Sequence, residues 1–223
     1  MPYRRTENVV RRLAARHDAI VQAAGALAAE AGISAVQITP VSQRAGVATG
    51  TVYRYFPSKT DLVAALVGSV SEREIGAMRR AADAAPGPLS ALAAAITTYA
   101  ARALGCRKLA FALLAEPAEA ADDARLAFRA ALTAELGKRV FAAMDAGHLP
   151  EQDIAVTAPA LVGALIEGLI GPLAADARDE AGTRYAVQTL TLFALRGLGV
   201  ADARARGLVV QTNVPGRAQG GHG

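Results

Sequence analysis

Hydroxyl-bearing and cationic side chains crowd one short stretch of this chain. Residues 44–62 read RAGVATGTVYRYFPSKTDL, in which Thr49, Thr51, Tyr53, Arg54 and Tyr55 follow a glycine-broken turn. Such side chains reach phosphate oxygens, and arginine also matches the paired acceptors on a guanine edge. A segment this short and polar has little use as core. Turned outward as a helix, it is the kind of element that a duplex major groove admits. Lys59 stands where the next helix begins, and there backbone amides and the positive dipole end already favour an anion. Upstream, Thr39 is either a helix cap or a phosphate or base contact, and Arg44 faces either DNA or solvent.

Local signals indicate how these residues are held. A first helix is expected over 12–31, with Ile20, Ala23, Ala24 and Leu27 on one face. Gly32 stops it. Thr39-Pro40 reads as an N-cap followed by proline at the first helical position, opening a brief helix that ends at Gly46. Thr49 is the expected cap of the third helix, because Ala48 has no side-chain acceptor. Pro57 breaks that helix after Phe56, and Ser58 caps a long fourth one over 59–84. Val47, Val52, Phe56 and Leu62 fall on the core side by spacing. Pro86-Gly87-Pro88 then punctuates the chain, and helices follow at 89–104, 107–115, 119–146, 153–175 and 180–197. Residues 1–11 read as frayed and 200–223 as a flexible tail. The fold class is all-α, with about nine helices.

Charge is unevenly spread. Formal net charge is only +4 over 223 residues, but residues 1–60 carry Arg4, Arg5, Arg11, Arg12, Arg16, Arg44, Arg54 and Lys59 against Glu7, Asp18 and Glu30. The remainder is nearly neutral. A positive end on a neutral body suits a DNA-binding head, although a solvated basic tail has the same charge. Hydrophobic residues make up 52 % of the chain and aromatics 4 %, so an alanine-rich set of closely packed helices is expected. Cys106 stands alone, which excludes an internal disulfide and a cysteine-cluster metal site. The histidines are His17, His148 and His222, with no Glu-x-x-His or His-x-x-x-His pair, no nucleophile elbow and no phosphate-cradling glycine loop. No cofactor or metal is expected. With no signal-peptide core and no apolar run long enough to span a bilayer, a cytoplasmic protein is expected, with no membrane partner.

The pattern across residues 16–66 resembles the TetR family of transcriptional regulators. The matching elements are Ala24, Leu27, Glu30 and Gly32, then Ala45-Gly46-Val47, Gly50-Thr51-Val52-Tyr53, Tyr55-Phe56, and finally Lys59 and Leu62. Departures are Gly25 and Ala28, where larger side chains are usual, and Gln37, Ser42 and Ala48. The resemblance implies a helix-turn-helix domain over 12–58, with its motif at about 37–56, and a ligand-binding and dimerisation domain over 59–199. It also implies that the third helix enters the major groove, with Thr49 and Gly50 nearest the bases and Thr51, Tyr53 and Tyr55 on phosphates. Arg54 then reads guanine or touches phosphate, and Tyr55 has packing inside as its alternative. Beyond residue 70 the likeness is one of helix order.

One head makes few contacts, so two heads a helical turn apart, and hence a twofold homodimer, are expected on a palindromic operator. The segment 157–174 is apolar around most of its circumference. Leu161, Leu165, Gly168, Leu169, Leu190 and Phe193 are therefore expected at the dimer interface, which the resemblance makes a four-helix bundle. It further implies a body cavity for a small, often apolar effector that releases DNA. Candidate lining residues are Met78, Tyr99, Cys106, Phe111, Leu114 and Phe128, with Glu116 and Glu167 as polar partners. The competing readings are a ligand-independent or protein-regulated DNA-binding regulator of the same fold, and an all-helical enzyme.

Overall fold

A computed structural model describes residues 3–175 and 179–212. The helices in chain order are α1 (Tyr3–Ala31), α2 (Ile38–Arg44), α3 (Thr49–Tyr55), α4 (Lys59–Asp83), α5 (Pro88–Gly105), α6 (Arg107–Leu114), α7 (Asp122–Asp145), α8 (Ile154–Ile170), α9 (Glu180–Gly197) and α10 (Asp202–Gln211). Short 3-10 turns stand at Ile33–Ala35 and Glu119–Ala121.

The first three helices close over one small core. Ile20 and Ala24 of α1, Val41 of α2, and Val52 and Phe56 at α3 are buried with Leu62 and Leu66 of α4. Two departures from the usual family pattern find their reason here. A Cβ at Gly25 would lie 3.3 Å from Leu66 Cδ1, and Ala28 is fully buried, so small residues let α4 approach α1 closely. Gly46 supplies the turn between α2 and α3 at φ 65°, where a Cβ-bearing residue is strained.

The body is built around α5, which is buried along most of its length and packs on α4, α7, α8 and α9. Two of its carboxylates are tied by arginines across helices. The buried Glu135 carboxylate of α7 accepts from Arg79 at 2.8 Å and from Arg139 at 2.9 Å, and Arg139 also pairs with Asp83 at 3.0 Å. Burial pushes the Glu135 carboxyl up, but the hydrogen bonds from the two arginines outweigh it and hold it below its ordinary value. Glu74 of α4 takes a two-pronged contact from Arg102 of α5. Among the described residues no single helix is long and apolar enough to cross a membrane; α5 and α6 reach that length only together and are bent by 101°.

Four sequence expectations need correction. α1 is helical from Tyr3, not frayed to residue 11. Residues 202–211, expected in a flexible tail, form α10, because Ala205, Leu208 and Val209 fall on one face and bury it; residues 213–223 of that expected tail lie outside the described residues. The cap of α2 is Gln37, whose Nε2 donates to the Ser34 carbonyl, so Thr39 and Pro40 sit within the first turn, where proline forfeits no helical bond. The cap of α3 is Ala48, without a side-chain bond, and Thr49 begins the helix proper. Its hydroxyl lies 3.2 Å from that of Ser42.

Candidate nucleic-acid interface

α3 stands on Val52, which is fully buried, and on Phe56, which closes the helix end. The opposite side faces out. Gly50 is exposed with nothing within 4 Å of where a Cβ would be, so another backbone can approach it. Tyr53 is 51 % exposed. Arg54 is exposed and lies over the Tyr55 ring at 5.8 Å, a cation–π contact that holds the guanidinium beside the helix end. Thr51 and Lys59 are half-buried at the margin, and Thr39 is exposed at the start of α2. Ser58 and Asp61 form a reciprocal capping box, with Asp61 N–H donating to Ser58 Oγ at 3.1 Å and Ser58 N–H to the carboxylate at 3.0 Å. That box fixes the start of α4 and therefore the position of Lys59.

Tyr55 takes its packing alternative, and Arg44, exposed as expected, has a partner within the chain. Tyr55 is half-buried, its hydroxyl buried without a hydrogen-bond partner among the described residues, and its ring lies edge-on to His17 at 6.3 Å. It packs the end of α3 against α1 and does not present its hydroxyl to phosphate. Arg44 is exposed but ion-paired with Glu30 of α1, a contact that holds the glutamate carboxyl below its ordinary value.

The sequence reading missed the N-terminal extent of α1, the rod that carries arginines it counted in the positive head. Because α1 begins at Tyr3, Arg11, Arg12 and Arg16 are exposed on a continuous rod that passes His17, whose ring is 5.1 Å from Phe56. Val9, Val10 and Leu13, at the spacing that continues Ile20 along the helix, were the available signal.

A second missed feature joins head to body. Glu116, after α6, accepts the Ile33 N–H at 2.9 Å. Gly32 sits beside it at φ 82°, and a Cβ there would meet Glu116 Oε2 at 2.7 Å. Arg125 and Arg129 of α7 donate to the carbonyls of Leu113, Leu114 and Glu116, closing the C-terminal end of α6.

The expected pocket residues separate into three groups. Met78, Tyr99, Leu114 and Phe128 are buried in the body core. Glu116 is committed to the joint with Ile33, and Glu167 is exposed near the end of α8. Only Cys106 and Phe111 border the open cleft of about 810 Å³ between Ala29, the α5–α6 bend and Ile170–Pro172. The bend accounts for this, since it turns α6 away from the line of α5 and against α1.

The dimer residues divide likewise. Leu161, Leu165 and Leu169 are buried within the protomer, and Gly168 lies against Leu190 of its own α9, with 3.0 Å between a built Cβ and Leu190 Cδ1. Phe193 is 60 % exposed, and with Val156 and Tyr185 it leaves an uncovered apolar face on α8 and α9.

Comparison with known proteins bears on this geometry. Residues 20–66 match the sequence profile described as bacterial regulatory proteins, tetR family. The chain is 43 % identical over 77 residues to the HTH-type transcriptional repressor KstR of Mycolicibacterium smegmatis, covering 34 % of this chain and 38 % of that protein. It is 47 % identical over 58 residues to KstR of Rhodococcus jostii, 26 % of this chain and 27 % of that one. The chain thus matches well under half the length of these curated relatives. Over the whole fold it is similar to RolR in complex with resorcinol, at TM-score 0.67 and 20 % identity over 94 % of this chain and 100 % of the other. It is also similar to the fatty acid degradation regulator FadR of Bacillus halodurans, at TM-score 0.70 and 23 % identity over 83 % and 97 %. At these identities the solved structures establish the arrangement of helices and nothing finer. Residues 20–66 are thus a helix-turn-helix head that matches the tetR family profile, and it stands on an all-helical body whose arrangement those solved structures share.

Proposed function

We propose that the protein is a cytoplasmic, sequence-specific DNA-binding repressor that occupies a palindromic operator as a homodimer and leaves it when a small effector binds. The supporting observation is the outward face of α3, where Gly50, Tyr53 and Arg54 are exposed over buried Val52. In this reading Thr49 and Gly50 approach base edges, Arg54 reads a base or a phosphate, and Thr39, Thr51, Tyr53 and Lys59 hold phosphates. The head is residues 12–58, whose Arg12 and Arg16 extend its positive charge together with Arg11 just ahead of it, and the body is 59–199 extended by α10.

Dimerisation follows from the uncovered face of Val156, Tyr185 and Phe193, which a second copy would bury. The effector reading draws on two solved relatives of the same fold. One is RolR, determined with resorcinol, and the other is a FadR of Bacillus subtilis, determined with stearoyl-CoA. A ligand-independent regulator is the second reading, favoured by the close packing of Met78, Leu114 and Phe128 in the body centre.

The test is selection of bound sites from random duplex DNA at low salt. A palindromic consensus is expected. No enrichment of any sequence at any salt concentration overturns the proposal.

A further inference from the structure

The Thr49 hydroxyl is already engaged before any DNA is bound. Its Oγ1 lies 3.2 Å from Ser42 Oγ of α2, across the Gly46 turn. Ser42 is 2 % exposed and is fixed from two directions. Its carbonyl accepts the Val47 N–H at 3.0 Å, which pins the turn. Its hydroxyl donates to the Thr39 carbonyl at 2.8 Å, the local back-bonding that serine makes inside a helix. A carbonyl only accepts, and a serine hydroxyl has a single proton to give. That proton lies on the bond to Thr39. Two hydroxyl oxygens 3.2 Å apart with no hydrogen between them repel, so the contact with Ser42 takes its proton from Thr49. What the Thr49 oxygen has left to offer is lone pairs.

We infer that Thr49 reads the major groove as an acceptor only, that Ser42 sets it so, and that it selects a base whose exocyclic amino group faces it: adenine through N6 or cytosine through N4. Phosphate oxygens, guanine O6 and N7 and thymine O4 are acceptors themselves and find no proton on this hydroxyl. Thr49 is thereby set apart from side chains that donate to phosphate. Gly50 beside it is exposed with nothing within 4 Å of a built Cβ, so a base edge has room to come up to this part of α3. The inference rests on the reading in which Thr49 and Gly50 approach base edges, and it adds the polarity of the contact and the residue that fixes it. Ser42 is buried and acts through Thr49, which makes it a positioning residue. Without its hydroxyl the Thr49 proton loses its fixed acceptor, and the threonine is free to turn and donate.

The test uses the full chain and the operator obtained by selection from random duplex DNA. Selection is repeated with Thr49→Val, which keeps the shape and deletes the hydroxyl. The position in each half-site whose preference changes is the one Thr49 reads. At that base pair the amino group is then removed, by unsubstituted purine in place of adenine or pyrimidin-2-one in place of cytosine, and affinities are measured by anisotropy. The wild-type protein is expected to lose about 2–10-fold, the worth of one hydrogen bond, and Thr49→Val to lose nothing further. Reversing the same base pair puts a carbonyl where the amino group stood. The reversal should cost the wild-type protein more than Ser42→Ala by a similar factor, while preferences at the other positions agree between the two. A merely structural role of Ser42 would move those other positions as well. A Thr49→Val selection identical to that of the wild type overturns the base contact. Equal loss on amino removal in wild type and Thr49→Val overturns the acceptor role. A reversal penalty unaltered in Ser42→Ala overturns the positioning by Ser42. Each of these leaves the DNA-binding reading standing, whereas a wild-type protein that enriches no sequence fails that reading and takes the inference with it. If Thr49→Val does not fold, Ser42→Ala decides alone, by whether its reversal penalty falls at one base pair of the half-site and at no other.

Discussion

Gly32 meets two independent demands. Its φ of 82° disfavours any side chain, and the Glu116 carboxylate occupies the space a Cβ would need. Gly32→Ala is expected to lower stability by about 1–3 kcal/mol through backbone strain and displaced Glu116, measured by denaturant unfolding. On α3 the expected effects are on binding. Tyr53→Phe should weaken all duplexes alike, whereas Arg54→Ala should relax preference at one base step by about 1–3 kcal/mol if the contact is to guanine. Competition titrations with operator and mismatched duplexes separate the two. Glu135 belongs to stability. Its carboxyl titrates below its unfolded value, so the link to Arg79 and Arg139 is fully present above that value and is lost as pH falls through the folded one. Glu135→Ala should cost about 1–3 kcal/mol at neutral pH, since Arg139 loses one of its two carboxylate partners and keeps Asp83 while the exposed Arg79 turns to water, and should flatten the acid limb of the stability profile.

At the scale of elements, α1 is the one whose extent changes the reading most. Counting from His17, the helix continues to Tyr3, about 21 Å at the rise of an α-helix. Arg11, Arg12 and Arg16 therefore ride on a rod fixed beside α3 by the His17–Phe56 contact, and do not trail as a tail. Deleting residues 1–11 should leave the preferred sequence unchanged. It should reduce the slope of log affinity against log salt by about 0.9 for each phosphate no longer neutralised, read from anisotropy titrations at several salt concentrations. An unaltered slope would mean that this end of α1 does not reach DNA. The second helix–helix relation that matters is α6 on α1, because it places the Gly32–Glu116 joint and the cleft on the same seam.

For the whole molecule, the proposed homodimer rests on the exposed apolar side chains of α8 and α9. Phe193 is 60 % exposed and flanked by the half-buried Leu192, and Tyr185 and Val156 are further exposed apolar side chains on the same two helices. Phe193→Asp is expected to shift the protein towards monomer in sedimentation experiments and to weaken operator binding in parallel, because two heads must be held at a fixed spacing. A dimer untouched by that change would place the interface elsewhere.

The head was legible in the chain because its rules are local. Glycine at a positive-φ turn, proline after a short helix and the Ser58–Asp61 cap act over a few residues, so Gly46, Pro57 and Ser58 could be read directly. Even here Ala48 took the cap expected of Thr49, because the Ser42 hydroxyl, brought alongside by the fold, competes for the threonine side chain. Helix α10 carried the right spacing in Ala205, Leu208 and Val209, but arginines and Gly207 between them masked it. What only the tertiary structure decided is which side of an apolar helix faces home. The segment around Leu161, Leu165 and Leu169 is apolar nearly all round, so periodicity carries no direction, and packing against the rest of the body turned those leucines inward. The same holds for Met78, Tyr99 and Phe128 against Cys106 and Phe111. All are the right types to line a pocket, and the sharp bend between α5 and α6 put the open space beside the latter pair. Short-range sterics and capping are written into neighbouring residues; the facing of a helix is set by partners distant in sequence.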